Sequence, residues 1–117
     1  MTPQRLPLAV YRGDTHRWVI TVWADPAATV PVDLTGAQVA AEVRSAAGSP
    51  VLAVLDCAVT PPNTITVGLA PAASAALPGG PAGWDLQVTF PDGFVRTLAA
   101  GPVTVTADVT DSVPVPA

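Results

Sequence analysis

Along most of this chain apolar and polar residues alternate in short runs, and Pro, Gly and Asp cut the runs apart. The closing third shows the pattern best. Trp84 to Phe90 alternates, Pro91-Asp92-Gly93 turns, Phe94 to Leu98 alternates again, and Gly101-Pro102 precedes Val103 to Val109. A period of two belongs to a strand with one face on a core and the other in water, so the pattern predicts half-buried antiparallel sheet.

The same reading runs upstream. Arg17 to Trp23 reads as a strand with Trp18, Ile20 and Val22 on one face and Val19 and Trp23 on the other; bulk on both faces suggests cover on both sides. Val32 to Gly36 reads as an extended lead-in to Gln38–Arg44, where Val39, Ala41 and Val43 point inward. Ser45 to Pro50 turns at Gly48, and Val51 to Val59 sets Ala53, Leu55, Cys57 and Val59 on one face. Thr60-Pro61-Pro62-Asn63 breaks the run, and Thr64 to Leu69 turns Ile65, Val67 and Leu69 inward. Pro71 to Leu77 is the one helix-like passage, with proline in its first turn and Pro78-Gly79-Gly80 as its stop. These elements predict an all-β chain: an immunoglobulin-like antiparallel β-sandwich of 7–8 strands with one short helical crossover. Residues 1–9 read as an extended N-terminal arm, 10–110 as the sandwich and 111–117 as a Pro-rich tail.

Composition fits that picture. The 117 residues suit one core and one domain, and the 14 prolines and nine glycines fall mostly between the alternating runs, as turn punctuation. There is no lysine, and five arginines face nine carboxylates for a net charge of −4, which disfavours nucleic acid and anionic membranes as partners. No run approaches the length of a membrane span, and the first residues lack the apolar core of a secretory signal, so the expectation is a soluble product of the cytoplasm. A single cysteine, Cys57, leaves the fold to burial alone.

The order of signals carries a resemblance. Val32-Asp33-Leu34-Thr35-Gly36-Ala37 leads into a strand, Ala72 to Leu77 precedes Gly83-Trp84-Asp85-Leu86-Gln87-Val88, and Asp92-Gly93, Val95-Arg96-Thr97-Leu98 and Gly101-Pro102-Val103-Thr104-Val105 close the chain. Over roughly residues 8 to 110 this resembles the immunoglobulin-like domain at the N-terminus of phage baseplate upper proteins and related small virion proteins of tailed phages. The resemblance implies a non-enzymatic structural protein of the virion, made in the host cytoplasm and docking on capsid or tail. The expectation is that no stem or receptor-binding part follows the domain, which favours a decoration or adaptor subunit over a receptor binder. Its partners would be other virion proteins and further copies of itself in a symmetric array.

Candidate chemistry is sparse. Arg12-Gly13-Asp14 spells a tripeptide that integrin ligands display, but Gly13-Asp14 reads more simply as a turn. His16 is the sole histidine, so no histidine pair exists to bind a metal. Cys57 lies with Leu55 and Val59 and reads as a small buried hydrophobe; a nucleophilic thiol would need a base, and only His16 offers one. The carboxylates are scattered singly, without the spacing of a glycosidase pair or a calcium loop. Gly79, Gly80 and Gly83 read as loop glycines, since a phosphate loop would need a lysine. The expectation is no catalytic residue, no metal and no cofactor. Trp23 remains, as core, as interface anchor or as a sugar platform beside Asp25. The interface candidates are Trp23 and Val19, with Pro3, Leu6 and Leu8 of the first arm and Val113 and Val115 of the last; the alternative function is a carbohydrate-binding or adhesion module.

Overall fold

The computed structural model describes residues 3–46 and 48–107. Eight strands follow one another as β1 (Gln4–Arg5), β2 (Leu8–Tyr11), β3 (His16–Thr21), β4 (Gln38–Arg44), β5 (Val51–Thr60), β6 (Thr64–Leu69), β7 (Gly80–Thr89) and β8 (Val95–Thr106). One helix among the described residues, α1 (Pro71–Ala75), separates β6 from β7. The chain is all-β, as the alternation predicts, with one short helical crossover.

The strands are ordered β1-β8-β7-β4-β5-β6-β3, with β2 also on β8, and the sheet curls into a half-barrel. The turn in the sheet falls within β5, whose first half pairs with β4 and whose second half, from Asp56, pairs with β6. The sheet is mixed rather than purely antiparallel, because β1 and β2 run parallel to β8. Alternation explains this docking: Leu8 and Val10 face inward opposite Val103 and Val105, so one register buries all four.

The inward residues meet in one core. Leu34, Ile65, Val67, Leu77, Leu86, Val88 and Ala99 are fully buried, with Val39, Cys57 and Val59 packed at its margin. Each fully buried Val or Leu contributes roughly 1.5–3 kcal/mol by burial. Leu, Ile and Val make up most of this core, with Trp84 the one aromatic among its buried residues.

Three expectations are corrected. The closing three strands are two, since β7 begins at Gly80 and β8 runs unbroken through Gly101-Pro102. Glycine and proline lie inside strands here because Gly83 pairs with Pro102 and Trp84 with Gly101, beside the crossing from β1 to β2. Gly80 and Gly83 are therefore strand residues, not loop residues. Val32 to Leu34 lies outside any strand and leads toward β4, where the Asp33 carboxylate accepts from the Thr35 N–H at 3.0 Å and Gly36 turns with φ +76°. Lastly, β3 is covered on one side only, and Val19 on its outer face is 65% exposed.

Candidate functional site

Among the described residues, the interface candidates that the fold brings together at the surface are on β3 and the turn that follows it. Six residues of β3 pair with β6, from His16 opposite Leu69 to Thr21 opposite Thr64. On the outer face, Arg17, Val19 and Thr21 stand beside Gly68, Thr66 and Thr64 and then Asp56, Ala58 and Thr60. This is a flat surface of small residues with Val19 projecting from it. Trp23 continues the same alternation two residues beyond β3, is 38% exposed, and bridges to Pro31.

The loop between Trp23 and Pro31 holds itself. The Val32 N–H donates to the Val22 carbonyl, and the Ala24 N–H to Val30 at 2.7 Å. Asp25 accepts from the Thr29 and Val30 N–H groups and from the Thr29 hydroxyl. That hydroxyl, followed by the Val30 N–H, pulls the Asp25 carboxyl below its ordinary value of 3.8. Both carboxylate oxygens accept from the loop itself.

Of the first arm, Leu8 is 3% exposed and belongs to the core, Leu6 packs against it, and Pro3 is exposed. Leu8 is thus occupied by its own fold. Val113 and Val115 lie outside the described residues.

The Arg12-Gly13-Asp14 turn is tied down. The Arg12 guanidinium donates to the Ala75 carbonyl at the end of α1 at 2.9 Å, the Gly13 N–H donates to the Ser74 hydroxyl, and that hydroxyl donates to the Asp14 carbonyl at 2.8 Å. An arginine held by a helix end is not displayed for a receptor.

His16 and Cys57 line one shallow cavity of about 360 Å³, together with Arg17 and Asp56. Among the described residues no hydrogen bond joins them. The His16 Nε2 lies 3.2 Å from both the N–H and the carbonyl oxygen of Tyr11, and the ring stacks on Trp18. The Cys57 thiol points to the Leu55 carbonyl at 3.6 Å, and burial followed by the Asp56 charge pushes it above its ordinary 9.0. Among the described residues no group of three or more His, Cys, Asp or Glu side chains is placed to hold a metal ion.

One feature was not foreseen. A trough of about 600 Å³ crosses the outer face of β4, β7 and β8, with Glu42, Arg44, Asp85 and Gln87 on its walls and Gly83, Ala100 and Gly101 at its floor. Glu42 and Asp85 are register partners on this face, and Arg44 pairs with Glu42 at 2.8 Å. Only strand register reveals this juxtaposition, because 43 positions separate the two carboxylates in the chain.

No protein-family model matches the chain, and no curated protein matches it.

Proposed function

We propose that the chain is a non-enzymatic structural subunit of a tailed-phage virion, docking on capsid or tail as a decoration or adaptor. The observation that carries the association half of this reading is the outer face of β3, where Val19 and Trp23 stand exposed on one side of a rigid sheet. An exposed tryptophan and a projecting valine, set on a face of otherwise small and polar residues, form a compact apolar anchor of the kind found at interface centres. The virion half rests on the resemblance over residues 8 to 110. The self-contained loop at Asp25 and the raised thiol of Cys57 weigh against sugar binding and covalent catalysis respectively.

Immunogold labelling of purified particles, from the phage or prophage that encodes the chain, tests the location. Label over the head makes it a decoration, and label at the tail makes it an adaptor. Particles that stay unlabelled, with an antibody shown to bind the native protein, would sink the virion reading. Trp23→Ala should abolish rebinding of the purified domain to particles stripped of it.

A further inference from the structure

We infer that the free edge of β3 pairs antiparallel with β3 of a second copy, joining two half-barrels into one continuous sheet. The inference rests on the reading of this region as an interface and not on the virion assignment.

The backbone sets the argument. In an antiparallel pair, alternate residues direct both N–H and C=O to the same neighbour. The Val22 N–H donates to the Asn63 carbonyl at 2.9 Å, which continues the β3–β6 register by one step. Val22 and, beyond it, Ala24 therefore face the side of β6 and of the Val30–Val32 segment. By alternation, Arg17, Val19, Thr21 and Trp23 turn their N–H and C=O groups to the opposite side. There β3 is the last strand of the sheet, and among the described residues nothing pairs with these groups.

The two edges of the sheet contrast. At the other edge, Pro3 and Pro7 flank or interrupt the short strands β1 and β2, which blunts pairing with another chain. The β3 edge has no proline, and its sequence His16-Arg17-Trp18-Val19-Ile20-Thr21 is strongly strand-forming. An open edge of this kind recruits a strand.

The strand is complementary to itself in one register. Centred on Ile20, a two-fold pairing sets Arg17 opposite Trp23 of the second copy and Val19 opposite Thr21, with the reciprocal pairs by symmetry. Each guanidinium then lies against a tryptophan ring, and the N–H and C=O groups of all four edge-facing residues find partners. No like charges meet, since Arg17 is the only formally charged residue of the strand at neutral pH. Centring on Val19 instead would leave Arg17 facing Thr21 and Trp23 facing Thr15, without either cation–aromatic contact.

Analytical ultracentrifugation of the full chain, from low micromolar to millimolar concentration, tests this. The expected result is a reversible dimer of twice the 11.8 kDa chain mass. Val19→Pro removes one edge-facing N–H and leaves the β3–β6 ladder intact, so it should sediment as a folded monomer. Arg17→Glu, at an exposed position with no hydrogen bond or ion pair among the described residues, should weaken dimerisation by about tenfold or more through loss of two cation–aromatic contacts. A wild-type chain that stays monomeric up to millimolar concentration would overturn the inference, as would two folded variants that dimerise as tightly as wild type. A dimer with unlabelled particles would sink the virion reading alone, whereas labelled particles with a monomeric domain would sink the edge pairing alone.

Discussion

The indole Nε1 of Trp84 donates a 2.8 Å hydrogen bond to the carbonyl oxygen of Leu6, 78 residues away in sequence. That carbonyl sits in the crossing between β1 and β2, directly over Gly101, the register partner of Trp84. A Cβ on Gly101 would lie 2.5 Å from the Leu6 oxygen and 2.8 Å from its carbonyl carbon. The glycine makes room for the crossing and the tryptophan fastens it. Gly101→Ala should therefore destabilise the fold by about 3 kcal/mol, since backbone atoms must shift. Trp84→Phe loses this hydrogen bond and the second ring, and should cost about 2 kcal/mol from the unmade bond and the space left behind. Urea unfolding midpoints of both variants check the order, and equal effects would refute it.

Ser74 performs a similar task at the other end of the molecule. Its hydroxyl is buried, accepts from the Gly13 N–H at 2.9 Å and donates to the Asp14 carbonyl at 2.8 Å. Ser74→Ala leaves both backbone groups without their partner and should cost about 2 kcal/mol. The same variant should loosen the Arg12-Gly13-Asp14 turn at Gly13 and Asp14, which increased protease cleavage after Arg12 would report.

How much of this was legible in the sequence depends on where the signal lay. Gln38–Arg44, Thr64–Leu69 and the inward faces of Val51–Val59 follow from alternation, because one-sided burial imposes it. Gly101-Pro102 reads as a break because glycine and proline usually punctuate. Here they serve a close backbone approach that only the tertiary fold creates. Trp23 and Val19 were named from the chain, and the structure leaves both exposed on one face. Leu8 was assigned to an arm, yet an apolar residue in a parallel edge strand looks identical in sequence to one awaiting a partner. The open β3 edge leaves no mark in the sequence, since which strands end a sheet depends on long-range pairing.

The loop from Trp23 to Pro31 should respond to acid. Hydrogen bonds from the Thr29 hydroxyl and the Val30 N–H favour ionised Asp25, so its folded pKa lies below the ordinary 3.8. Loop order is complete above that ordinary value and is lost as pH falls through the lower folded one. Amide chemical shifts of Thr29 and Val30 in an NMR titration should move together with a midpoint below 3.8, and Asp25→Asn should abolish the transition.

Cys57 should be a slow thiol. Burial, with the neighbouring Asp56 charge, raises it above 9.0, so the thiolate is scarcer near neutrality than in the unfolded chain. Iodoacetamide should alkylate the folded protein more slowly than the urea-unfolded chain at the same pH. The same shift makes stability fall as pH rises past the ordinary thiol value, because the unfolded chain releases its proton first. A folded thiol that reacted faster than the unfolded one would reopen a nucleophilic role beside His16.

The trough across β4 and β7 carries a conflict that substitution should relieve. Glu42 and Asp85 are directly opposed on the outer face, and opposed like charges destabilise a strand pair. Arg44 offsets part of this by pairing with Glu42, while Asp85 has no ion-pair partner among the described residues. Asp85→Lys would place a cation opposite Glu42 and should raise stability by about 0.5–1 kcal/mol at low salt. The gain should shrink in molar salt, where the Debye length is about 3 Å. Asp85→Asn should recover a smaller part of it, having removed the repulsion without adding an attraction. Thermal melts of the two variants at low and high salt test the electrostatic origin. A gain for Asp85→Lys that did not change with salt would refute it and point instead to packing of the longer side chain along the sheet.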